Sequence, residues 1–104
     1  MLRLAALSLV VLSTAASAQS LPGSVVDGRE LALRICSDCH VVSPRQTRSP
    51  TDAAPPFSER ARDPAITPLS LRVFLQTPHA RMPDLSLTRS EIDDLIAYIL
   101  SLRN

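Results

Sequence analysis

Cys36-Ser37-Asp38-Cys39-His40 is the stretch on which the reading of this chain turns. Two cysteines separated by two residues, with histidine directly after the second, form the attachment pattern of a c-type haem. The spacing has a physical reason. On one helical turn the two thiols point to neighbouring edges of the same face, where each can add to one vinyl group of a single porphyrin. His40 then has an imidazole nitrogen available to the iron. Two other chemistries use cysteines at this spacing. A thiol–disulfide couple goes with βαβ patterning, which the flanking residues lack, and a structural zinc site wants four ligands. The chain has two cysteines and two histidines, and the second histidine, His79, lies far downstream.

Upstream, Met1-Leu2-Arg3 is a short positive region, residues 4–12 are an apolar run, and Ala16-Ser17-Ala18 is a small-x-small cleavage site before Gln19. This order reads as a secretory signal peptide over residues 1–18. The apolar run is shorter than the roughly 20 residues that span a bilayer. No cysteine follows the cleavage site closely enough for lipid attachment. The mature chain, residues 19–104, is therefore expected to be exported, periplasmic and without stable membrane insertion. Export agrees with the cysteines, since bacterial c-type haem is attached outside the cytoplasmic membrane and an oxidising compartment otherwise pairs close thiols. A domain this small holds a marginal core on its own, and a buried porphyrin supplies the missing apolar surface.

Charge excludes one class of partner. The formal net charge is +1, and all eleven basic residues are arginine. Removal of Arg3 with the signal brings the balance to zero. There is no basic stripe for nucleic acid and no acidic tail. A docking patch for redox partners is expected to be local or apolar.

Residues 19–26, with Pro22 and Gly23, read as a loose lead-in to a single domain over residues 27–104. Asp27 is a reasonable N-cap for a first helix that runs into the cysteine motif, with Leu31, Ile35 and the cysteine pair on one face. Five prolines (Pro44, Pro50, Pro55, Pro56, Pro64) then forbid a long helix over residues 41–65. An extended loop with one short helix around residues 58–61 is expected, wrapped around the edge of a ligand. Thr67-Pro68 starts the next helix, whose stripe of Leu71, Phe74 and Leu75 is core packed against the haem edge and which Pro78 ends near Thr77. The last helix is the clearest. Thr88 and Glu91 make a capping box, and Ile92, Leu95, Ile96, Ile99 and Leu100 share one face. Glu91, Asp93 and Asp94 near its start and Arg103 at its end suit the helix dipole. No strand pattern or internal repeat is evident, so the expected fold class is all-α, with three to four helices and loops around one covalent haem.

With His40 alone the iron would be five-coordinate, and Met82 is the candidate for the sixth position. It lies in Thr77-Pro78-His79-Ala80-Arg81-Met82-Pro83, bracketed by prolines, and Pro83 biases it away from helical backbone. It is also the sole methionine once Met1 is removed. A soft sulfur ligand favours ferrous iron and raises the potential. The alternatives are a gap-filling core role for Met82 and ligation by His79, which gives a bis-histidine centre of lower potential.

Cys36, Cys39 and His40 near the N-terminus, the proline-flanked Met82 and the capped amphipathic last helix together resemble the class I cytochrome c family, in particular its small bacterial periplasmic members. The resemblance covers roughly residues 27–103. It implies that Gly28 lets the first and last helices cross closely, with Tyr98 packed near it. It implies also that the carbonyl of Pro55 accepts the ring N–H of the haem histidine, fixing its tautomer. Pro56 is adjacent and leaves that register open. Ala32 departs from the pattern, standing where many members carry an aromatic, and a looser helix contact is expected there.

The leading functional expectation is a one-electron carrier with one haem c, held by Cys36 and Cys39 and ligated by His40 and Met82, passing electrons between periplasmic redox partner proteins. It is not expected to be an enzyme, since no serine–histidine–acid set or carboxylate pair can be placed. Two alternatives remain: a subunit of a periplasmic dehydrogenase or oxidase complex, and a gas-binding or peroxidatic haem protein with a labile sixth ligand. The oligomeric expectation is a monomer or such a subunit.

Overall fold

The computed structural model describes residues 20–47, 50, 54–79 and 81–104. The expected signal peptide, residues 1–18, lies outside the described residues. The architecture is all-α, with α1 at Val25–Ile35, α2 at Phe57–Arg62, α3 at Pro68–Gln76 and α4 at Arg89–Ser101. Among the described residues the single β feature is an isolated antiparallel pair between His79 and Met82.

α4 is the centre of this arrangement. The Thr88 hydroxyl accepts from the Glu91 backbone N–H at 3.2 Å, and the Glu91 carboxylate accepts from the Thr88 N–H at 2.8 Å, so the box satisfies two helix-start donors at once. Ile92, Leu95 and Ile96 are almost wholly buried, along with residues 97–100. Full burial of one such aliphatic side chain contributes roughly 1.5–3 kcal/mol. α1, α2 and α3 each pack on α4, and none of the three packs on another.

α1 opens earlier than Asp27. Its N-cap is Ser24, whose hydroxyl accepts the Asp27 N–H at 3.2 Å, while Asp27 occupies the first turn. The serine is the better cap here because Asp27 is then free to place its charge against the positive end of the helix. The lead-in is fastened rather than loose. The Ser24 N–H donates to Asp94 Oδ1 at 2.7 Å, and Gly23, at φ +101°, sits so close to α4 that a Cβ would lie 2.3 Å from the Asp93 carbonyl oxygen.

Five residues on, α1 crosses α4 at Gly28. A Cβ there would fall 2.0 Å from the Asp94 carbonyl oxygen and 2.8 Å from Tyr98 Cβ, a separation no side chain tolerates. The looser contact expected at Ala32 is not found. Ala32 is fully buried, and the α1–α4 contact is the most extensive in the fold, because a small side chain lets the helix axes approach.

α2 buries Phe57 and Ala61, and its first N–H, from Phe57, donates to the Val41 carbonyl at 2.9 Å. Arg103, just past α4, donates from Nε to the Ala61 carbonyl at 2.9 Å and from Nη2 to the Ile66 carbonyl at 2.5 Å. α3 begins as expected, with Thr67 as its cap and proline at its first position, and Ser70 adds a reciprocal capping box. Its apolar stripe divides. Leu71 is buried and Leu75 half-buried, whereas Phe74 is 49 % exposed. α3 leans on α4, and the flank carrying Phe74 faces His79. An ion pair between Arg72 and Asp93 fastens the same two helices.

Candidate functional site

The cysteine motif is built as an extension of α1. The Cys36 N–H donates to the Ala32 carbonyl at 2.9 Å and the His40 N–H to the Cys36 carbonyl at 2.9 Å, so the helical bonding pattern carries on past Ile35. The Ser37 hydroxyl adds a bond of 2.6 Å to the Leu33 carbonyl. One turn therefore carries both thiols and the imidazole. Cys36 is buried and Cys39 exposed, and neither is bridged to the other. Burial, with a smaller contribution from Cys39, pushes the Cys36 thiol up to about 11.

His40 is held by its surroundings. Its Nδ1 lies 2.7 Å from the Pro55 carbonyl oxygen, and its ring packs at 5.2 Å against the ring of Phe57, tilted by 52°. A carbonyl oxygen can only accept, so the proton of the neutral imidazole is on Nδ1 and Nε2 keeps its lone pair. Of the two adjacent prolines it is Pro55 that makes this contact. The bond from Phe57 to Val41 runs beside it, so the segment before α2 is tied to the segment after the motif at both points.

Met82 stands in a separate turn between α3 and α4. It is half-buried, and its N–H donates to the His79 carbonyl at 2.9 Å. His79 is occupied within its own loop: Nδ1 donates to the Thr77 carbonyl at 3.0 Å, and the ring meets Phe74 edge-on at 5.3 Å. The structure thus brings Cys36, Cys39, His40 and Pro55 together, and gives Met82 its contact with His79 instead. Sequence reasoning missed Phe57 as the neighbour of the His40 ring and Gln46 as a partner of the motif's backbone. Phe57 had a signal, since it follows Pro55 by two residues and is one of two phenylalanines in the chain.

The donor set fits a haem. Two unbridged thiols share a turn, an imidazole presents a free Nε2, and a thioether is available in a proline-bracketed loop. A zinc cage has less support: among the described residues no three or more His, Cys, Asp or Glu side chains converge as a metal site. An all-α domain whose first helix ends in this arrangement is of the class that carries its iron porphyrin on protein thioethers.

Comparison with known proteins points the same way. The chain is 38% identical over 102 residues to cytochrome c-552 of Bradyrhizobium diazoefficiens, an alignment covering 98% of this chain and 97% of that protein. It belongs to the class I c-type cytochrome family. No protein-family model and no solved structure matches it. Membership carries with it a haem-binding all-α fold and, together with the cysteine motif, covalent haem c. It also carries the role of an electron carrier with redox proteins as partners. No helix among the described residues is long and apolar enough to cross a membrane.

Proposed function

We propose that this chain is a mono-haem electron carrier in which Cys36 and Cys39 supply the thioethers, His40 and Met82 the axial ligands, and Pro55 the hydrogen bond that orients His40. The haem supplies one-electron redox chemistry when bound. The chain's own residues do the rest. Pro55 withdraws the Nδ1 proton of His40 from competition, directs Nε2 outward and makes the imidazole a stronger donor. Phe57 limits rotation of the imidazole ring by packing against it at a tilt. Met82, restrained by Pro83 and by its bond to His79, would offer the iron a soft sulfur, which favours the reduced metal and would keep small molecules from it.

The carrier works between periplasmic redox partners, after loss of residues 1–18, with residues 27–104 as its domain and residues 19–26 as the segment leading into it. The leader's charge–apolar–small order and its match to the chemistry of haem attachment support this location. The observation that carries the whole reading is the 2.7 Å contact of His40 Nδ1 with Pro55 at the end of a turn bearing two unbridged cysteines. The test is an oxidised-minus-reduced spectrum of the purified mature protein together with haem staining of a denaturing gel. A low-spin spectrum with haem that survives denaturation is expected. A colourless, folded protein would overturn the proposal.

A further inference from the structure

The segment after the cysteine motif folds back on it. The Gln46 N–H donates to the Ser43 carbonyl at 3.1 Å and the Arg45 N–H to the Ser43 hydroxyl at 3.3 Å, closing a turn over Ser43-Pro44-Arg45-Gln46. Proline in second place favours such a turn, because its fixed φ matches that position. The turn returns the Gln46 side chain to the backbone around His40.

There the carboxamide is used at both ends. Its Oε1 accepts the Val42 N–H at 2.9 Å, and its Nε2 donates to the His40 carbonyl at 3.2 Å and to the Ser37 carbonyl at 3.5 Å. These are the two peptide groups that follow the histidine and one within the turn that carries the thiols. A primary amide is the one side-chain group that can accept one bond and donate two from the same plane; a carboxylate cannot donate and an alkyl group can do neither. Val42 itself is fully buried, so its N–H has no water to fall back on.

We infer that Gln46 is a positioning residue for the axial histidine: its carboxamide fixes the backbone of residues 37–42, and so the direction in which His40 presents Nε2. This rests on the proposed role of His40 as iron ligand. Pro55 and Phe57 hold the ring, but a ring held at one edge still swings if its own backbone is free. Gln46 fixes that backbone directly, beside the bonds of the His40 N–H to Cys36 and of the Phe57 N–H to Val41.

The test uses the mature haem-loaded protein, with haem content measured first in every sample. Wild type lacking covalent haem would defeat the functional reading and leave Gln46 aside; equal haem content isolates the role of Gln46. In wild type, the Gln46 side-chain NH2 protons should exchange slowly and show a nuclear Overhauser contact to the Val42 N–H. Gln46→Leu should speed exchange of the Val42 N–H and the His40 ring N–H by about tenfold or more, the size expected when buried donors lose their partner. It should also move the hyperfine-shifted His40 resonances of the oxidised protein. Gln46→Glu keeps the acceptor and loses the donors, so Val42 protection should survive while the His40 resonances still move. Unchanged His40 resonances in both variants would overturn the assignment. Should Gln46→Leu fail to fold, rapidly exchanging Gln46 NH2 protons in wild type would do the same.

Discussion

The hydroxyl of Tyr98, in the last helix, donates to the carbonyl oxygen of Val42, two residues beyond His40. Both groups are buried, so α4 is coupled through one bond to the segment that bears the axial histidine. Tyr98→Phe removes the donor and leaves a buried carbonyl without a partner, which should cost roughly 1–3 kcal/mol. Denaturant unfolding of the haem-loaded protein measures this.

The same tyrosine predicts an alkaline limit. Burial raises the phenol above its ordinary value, against smaller opposing effects from the Ser43 hydroxyl and Arg29. A proton held more tightly in the folded state gives stability that is complete below the unfolded value and is lost as pH rises through the folded one. Wild type should therefore lose stability across that alkaline range more steeply than Tyr98→Phe. Equal slopes would remove Tyr98 as the cause.

Gly28→Ala should separate α1 from α4. The added Cβ meets backbone rather than a yielding side-chain tip, so repacking has to move a helix. The cost should reach roughly 1–3 kcal/mol or more, read as a lower melting temperature and a lower yield of haem-loaded protein. Ala32→Gly, which removes volume at the same interface, should be milder in its effect on helix spacing.

Met82→Ala should leave haem covalently attached while making the iron high-spin or open to exogenous ligands, with a lower reduction potential. His79→Ala should leave the spectrum unchanged. Replacing both Cys36 and Cys39 by serine should abolish haem staining on a denaturing gel. A spectrum that changes with His79 and not with Met82 would reverse the ligand assignment.

Thr88→Ala should destabilise α4 by about 1 kcal/mol, as loss of an N-cap does. Hydrogen bonds from Thr88, the backbone one foremost, hold the Glu91 carboxyl below its ordinary value. Stability from a depressed carboxyl is present above the unfolded value and lost as pH falls through the folded one. Acid unfolding of Glu91→Gln should accordingly show a weaker pH dependence than wild type, whereas Thr88→Ala, which keeps the backbone N–H at position 88, should retain most of that dependence.

What could be read from the sequence was whatever depends on neighbours along the chain. The cap at Thr67, the box at Thr88, the stop at Pro78 and the turn of Cys36 and Cys39 are local, and each lies where its pattern indicates. What escaped depends on partners far away. Ser24 outcompetes Asp27 as cap while Gly23 and Ser24 dock on Asp93 and Asp94, seventy residues on. Phe74 meets His79, a pairing past the end of α3 that helical spacing cannot encode. Gln46 was invisible for another reason: a lone glutamine in a polar loop has no signature until the turn at Pro44 brings it back to His40.

Because α1, α2 and α3 each pack on α4, harm to residues 89–101 is felt by every other helix. Cys36 belongs to the buried cluster that α4 anchors. The turn that bears the thiols therefore depends on a helix that contributes no residue to the proposed ligand set.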